Sequence, residues 1–174
     1  MFDAALGSGL AAFNRLTADP ARAELLSCCA SPAWAEQMLA ARPYHSVEEV
    51  MALSDRAVAG LSEAELDAAL AGHPRIGEGE TAAASGGRDW SSQEQAGVGG
   101  ATDGVRRALA DGNRAYERRF GHVYLVCATG RTADEMIALL HRRLGNDPAT
   151  ERAVVRDELA KINRIRLTKL LEGT

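Results

Sequence analysis

Lysine is nearly missing from this chain: of its 20 basic residues only Lys161 and Lys169 are lysines, so few side chains are available for a Schiff base to a carbonyl or to pyridoxal phosphate. Cysteine is equally sparse. Cys28, Cys29 and Cys127 are an odd set with two adjacent members, which is neither a disulfide framework nor metal-ligand spacing, so all three are expected reduced and mostly buried. No excess of positive charge exists either. The 20 basic residues face 24 acidic ones for a net charge of −4, which leaves no field to gather nucleic acid or an anionic membrane and points instead to a small molecule or another protein. Long apolar runs are absent too: Val123 to Ala128 falls far short of the roughly 20 residues of a membrane span. Met1-Phe2-Asp3 lacks a basic signal-like opening and Leu171-Glu172-Gly173-Thr174 carries no organelle tripeptide, so the expected compartment is the cytoplasm.

What remains is 174 residues, 46% hydrophobic and 25% charged, a composition suited to one compact domain over 1–174. Apolar residues recur at helical spacing almost throughout. Ser46/Glu49, Ser62/Glu65, Ser91/Glu94 and Thr132/Glu135 each fit the capping-box pattern in which a hydroxyl and a carboxylate satisfy the first N–H groups of a helix. The pattern predicts an all-α fold of about eight helices near 19–29, 32–41, 47–59, 62–71, 92–98, 102–119, 133–144 and 148–171. Asp147 is the expected N-cap of the last helix and Pro148 its first turn. Two stretches break the pattern: a glycine-rich connection from Gly72 to Gly100, and the β-branched run Gly121 to Ala128, expected to be extended with peptide groups that need partners.

Arg166 is chemically out of place. At about 100° per residue it falls inside the narrow arc formed by Val155, Leu159, Ile162 and Leu170, where an unpaired guanidinium would cost several kcal/mol. It needs an anion there, unless it snorkels past the end of the core to a structural carboxylate. Arg164 points to the opposite side. His73-Pro74 stands where a helix should end, at the edge of the glycine-rich stretch, so His73 is either a helix-end hydrogen-bonder or a general acid or base near neutral pH. Ser91-Ser92-Gln93-Glu94-Gln95 reads as a helix cap and also as an N-terminus able to hold a substrate carboxylate or carbonyl. His45, His122 and His141 form no ligand cluster with His73 by spacing, and no metal site is expected. The arginine pairs 106/107, 118/119 and 142/143 read as solvated helix faces.

Taken in order, His73-Pro74-Arg75-Ile76-Gly77, Ser91-x-x-Glu94-Gln95-x-Gly97, Phe120-Gly121 before the run ending at Cys127, and Ile162-x-x-Ile165-Arg166-Leu167 resemble the 2-oxo-4-hydroxy-4-carboxy-5-ureidoimidazoline (OHCU) decarboxylase family. Phe13-Asn14-Arg15-Leu16 and Trp34 to Arg42-Pro43-Tyr44 look like its N-terminal helices. The resemblance implies an all-α homodimer that works without a cofactor in purine breakdown and turns OHCU into (S)-allantoin and CO₂. It implies catalytic roles for His73 and Glu94, and substrate contacts from Arg166, Pro74, Ser91, Ser92, Gln93, Glu94 and Gln95, and from the backbone of Tyr124, Leu125, Val126, Cys127 and Ala128. The chain departs from the family form His-Pro-Asp-Leu-Ala-Gly at Arg75, Ile76 and Gly77, and has His122-Val123 where Phe-Pro can follow Phe-Gly. Two other classes fit the helical pattern: a non-catalytic dimerisation module, with Ser91/Glu94 only a cap and Arg166 only an interface ion pair, and a cofactor-free hydrolase of a related cyclic ureide.

Overall fold

The computed structural model of the chain describes residues 2–77, 93, 94 and 96–172, with the side chains of 2–6 left aside. Eight α-helices are present among the described residues: α1 Phe2–Arg15, α2 Ala18–Cys28, α3 Pro32–Ala40, α4 Val47–Ala59, α5 Glu63–Ala71, α6 Asp103–Phe120, α7 Ala133–Arg143 and α8 Pro148–Glu172. A 3₁₀ turn spans Ala96–Val98, and there is no strand among the described residues. The fold is all-α, as the periodicity predicts.

Local chemistry explains most boundaries. Ser46 Oγ accepts the Glu49 N–H at 3.1 Å to open α4, and Ser62 and Glu65 close a reciprocal pair at 3.3 and 2.7 Å. Thr132 and Glu135 do the same for α7 at 3.2 and 2.8 Å, while Asp147 takes the Thr150 N–H at 3.0 Å to start α8. Residues 78–92 and Gln95 lie outside the described residues, and with them Ser91, Ser92 and hence the Ser91/Glu94 capping box, of which Glu94 alone is described.

One helix had no counterpart in the predicted set. The sequence of α1 contains Gly7 and Gly9, which weaken helix propensity and hide the pattern. Gly9 has a packing reason: a Cβ there would collide with the backbone carbonyl of Leu171, so only glycine allows the two helices to approach.

The chain divides into two compact units, Met1–Ala69 with Ala160–Thr174, and Leu70–Leu159. In the first, α2 packs on α3, α3 on α4 and α1 on α4, around Leu25, Trp34, Met38, Val58 and Leu66. Asn14 and Tyr44 exchange two hydrogen bonds, Nδ2 to Tyr44 O at 2.8 Å and Tyr44 N to Oδ1 at 3.0 Å. Arg42 donates to the carbonyls of Phe13 and Leu16 at 2.8 and 2.9 Å. The two N-terminal motifs therefore hold each other and serve the scaffold. In the second unit α6 packs on α7, and Ile76, Val98, Leu109, Tyr116, Tyr124, Val126, Met136 and Leu140 form a continuous apolar cluster.

Candidate active site

His73 follows the end of α5, its N–H donating to the Leu70 carbonyl at 3.0 Å, and its side chain is buried at 8% exposure. Pro74 is half-buried beside it. The three departures from the family form all have local partners. Arg75 grips Glu117 with two bonds of 2.6 and 2.8 Å, and that guanidinium holds the Glu117 carboxyl below the usual range. Ile76 enters the apolar cluster and its carbonyl accepts from Asn113 Nδ2 at 2.9 Å, while Gly77 takes a φ of +85° against Leu109 and Val98.

Val98, in the turn Ala96–Val98, packs with Ile76 in the apolar cluster and lies beside Gly77. Glu94 is half-buried and Gln93 exposed. Gly97 rests so closely on the Arg131 carbonyl that a Cβ could not be accommodated. Arg131 in turn donates Nε to the Cys127 carbonyl at 3.1 Å, and the Cys127 N–H donates to Glu158 Oε2 at 2.7 Å. Burial pushes the Cys127 thiol up, and the nearby negative charges of Glu158 and Glu94 push the same way. The second unit thus gathers Glu94, Cys127, Arg131 and Glu158 into one polar neighbourhood.

The Tyr124–Ala128 segment is non-helical, as expected, and is held by its main chain. Besides the Cys127 bonds, the Leu125 carbonyl accepts from Arg143 Nη1 at 2.6 Å and the Ala128 carbonyl from the Arg131 N–H at 3.0 Å. Arg143 is seated between the rings of Tyr116 and Tyr124, at 5.6 and 4.8 Å from their centroids, and its Nε donates to Glu151 at 2.7 Å. Glu151 also accepts from Tyr116 Oη and, at 2.8 Å, from Asn146 Nδ2. Tyr124 Oη donates to the Met136 carbonyl at 3.0 Å, and burial pushes its phenol up to about 12. Among the described residues no three His, Cys, Asp or Glu side chains are grouped to hold a metal ion.

Arg166 belongs to the first unit. It is buried at 6% exposure, and its Nη1 donates to the Cys28 carbonyl at 3.1 Å, at the end of α2 where the helix dipole favours a cation. Arg164 is half-exposed and forks onto Asp55, with Nε bonds of 3.1 and 3.0 Å, as its opposite placement required. Cys28 and Cys29 are buried, Cys127 half-buried, and all three are free thiols.

The model of the family described as OHCU decarboxylase matches residues 14–168. The chain belongs to the OHCU decarboxylase family. It is 29% identical over 143 residues to 2-oxo-4-hydroxy-4-carboxy-5-ureidoimidazoline decarboxylase of Haloferax volcanii, covering 80% of this chain and 81% of the relative. It is 29% identical over 147 residues to the uric acid degradation bifunctional protein TTL of Arabidopsis thaliana, covering 82% of this chain but only 45% of that protein. A third relative, from Amia calva, is 37% identical over 60 residues, 34% of either chain. The chain thus spans less than half the length of the latter two relatives. Among solved structures, a crystal structure of OHCU decarboxylase in the presence of (S)-allantoin superposes with a TM-score of 0.74 at 25% identity, covering 86% of this chain and 97% of that one.

Glu158 and Glu151 were not among the residues singled out in the sequence, and the expectation that the 142/143 pair forms a solvated face fails at Arg143, which is 5% exposed because its guanidinium is drawn inward onto the buried Glu151 carboxylate. The arithmetic that flags Arg166 also reaches both acids, since Glu151 and Glu158 fall within about 60° of Val155 on the same helix.

Proposed function

We propose that this OHCU decarboxylase family member converts OHCU to (S)-allantoin with release of CO₂, as a carboxy-lyase of urate breakdown that uses no cofactor. The match across residues 14–168 carries the reading, and the likeness to a decarboxylase crystallised with (S)-allantoin supports it. The substrate's own structure makes the chemistry accessible. Its carboxylate sits on the carbon that also bears the hydroxyl, next to a ring C=N. When the C–C bond breaks, its electron pair forms a double bond to the ureido-bearing carbon while the imine π pair moves onto the ring nitrogen, which takes up a proton; the resulting enol later loses its hydroxyl proton as the carbonyl forms. One proton must be delivered to the ureido-bearing carbon, and delivery to one face only sets the (S) configuration.

In this reading His73 handles the proton of the substrate hydroxyl or carboxyl as CO₂ departs, and Glu94 orients it or relays the proton to carbon. Arg166 engages an oxygen-rich edge of the substrate by charge-assisted hydrogen bonds. Pro74, Ser91, Ser92, Gln93 and Gln95 contact the ring, and peptide groups of Tyr124–Ala128 read its flat amides. Within that segment the Leu125, Cys127 and Ala128 carbonyls and the Cys127 N–H are engaged by Arg143, Arg131 and Glu158, so in this reading recognition falls to its other peptide groups. A homodimer in the cytoplasm carries over from the same resemblance. The decisive test generates OHCU in situ from urate and follows optical activity by circular dichroism. Enrichment of (S)-allantoin over the racemate of spontaneous decay is expected, and a racemic product refutes the reading.

A further inference from the structure

Most buried polar heads that lack a partner on one atom are satisfied on another. Asn113 leaves only Oδ1 unpaired, Arg42 only Nε, and His122 only Nε2. Asn163 differs: it is fully buried, and both Oδ1 and Nδ2 are without a hydrogen-bond partner. Buried carboxamides are nearly always paired, because burying an unmet donor and acceptor carries the full cost of their lost hydration. Asn163 lies against the Cys29 thiol, a weak partner, and the Arg166 guanidinium bears on the same thiol. Asn163 also precedes Arg166 by three residues, so the two heads share one face of α8, a single turn apart.

We propose that Asn163 is a substrate-binding residue whose carboxamide pairs with a urea-type N–H/C=O edge of the ligand that Arg166 engages through its oxygens. The chemistry matches in both directions. Nδ2 donates to a ureide carbonyl while Oδ1 accepts a ureide N–H; an apolar side chain supplies neither, and a short serine hydroxyl, whose donor and acceptor share one atom, cannot span both positions of that edge. Asn163 would then discriminate a cyclic or open ureide from a plain carboxylate of the same charge, since an amide-lacking ligand leaves the carboxamide unmet. The assignment rests on the reading of Arg166 given under the proposed function.

The test compares Asn163→Leu and Asn163→Ser with the wild-type protein, using OHCU generated in situ and stereospecific formation of (S)-allantoin. Loss of two neutral hydrogen bonds is expected to raise KM and lower kcat/KM about 10- to 100-fold with kcat much less affected. The thermal midpoint of Asn163→Leu should stay level or rise, because the only protein contact removed is the weak one with the Cys29 thiol, and the stabilisation of wild type by added (S)-allantoin should be lost. Should the leucine variant fail to fold, the serine variant is expected to show the same KM effect in a folded protein. Wild-type stereospecific activity with unchanged KM in the folded variants overturns the assignment of Asn163 alone. A wild-type protein that yields racemic product overturns the decarboxylase reading and this assignment with it.

Discussion

Replacing Arg143 by methionine would remove the counter-ion of a carboxylate that has no exposure at all. Glu151 is 0% exposed, and Arg143 meets it through Nε at 2.7 Å and Nη2 at 2.6 Å. Burial works against the Arg143 charge, yet the Glu151 hydrogen bonds and charge more than offset it and hold the guanidinium above its ordinary range. Breaking a buried pair from one side typically costs about 3–5 kcal/mol, because the remaining charge stays desolvated. In a chain of this size that lowers the thermal midpoint by about 6–20 °C. The same change frees the Leu125 carbonyl and strips a cation from between two tyrosine rings, which adds to the loss. Arg143→Lys should be nearly as harmful, since a single ammonium cannot reach Glu151 and Leu125 in the fork geometry. Denaturant unfolding of Arg143→Met, Glu151→Leu and the double variant measures the coupling. The double variant, which buries neither charge alone, should lose about 2–3 kcal/mol less than the sum of the singles. Additive losses, or a single-variant cost below about 1 kcal/mol, would refute the reasoning.

For His73→Ala, turnover of OHCU should fall by about 10²-fold or more while the circular dichroism of the fold is unchanged, and near-normal turnover rejects the acid–base assignment. Gly9→Ala should destabilise the chain by about 1–3 kcal/mol in denaturant titration, because the obstacle to its methyl is the backbone of Leu171 rather than a movable side chain. Alkylation of native protein should reach Cys127 before Cys28 or Cys29, which are wholly buried. Because the Cys127 thiol is held above its usual range, its rate at pH 8 should lag that of a free cysteine and still be climbing at higher pH. Glu158→Gln, which removes a negative charge that disfavours the thiolate, should accelerate it. Arg75→Ala should cost no more than about 1 kcal/mol, the exposed pair with Glu117 being screened by water.

The helices were legible wherever punctuation and periodicity agreed. Helix α4 runs from Val47 to Ala59 as predicted, bracketed by the Ser46 cap and Gly60. Helix α1 was hidden because Gly9 serves an approach by a residue more than 160 positions away, and no local window contains Leu171. The burial of Arg166 followed from the arc of Val155, Leu159 and Ile162, but its bond to the Cys28 carbonyl did not, since a main-chain acceptor leaves no mark in side-chain spacing. Glu158 escaped notice for a related reason: a glutamate on a helix is ordinary until the amide it receives, that of Cys127, is known.

The bonds by which Arg131, Arg143 and Glu158 anchor residues 125 to 128 end on a carbonyl oxygen or an amide hydrogen: Leu125 O, Cys127 N–H, Cys127 O and Ala128 O. No side-chain identity along that stretch is needed to make them, only a volume that fits. Such a strip can therefore drift in composition over evolutionary time while its path stays put, provided Arg131, Arg143 and Glu158 remain to grip it.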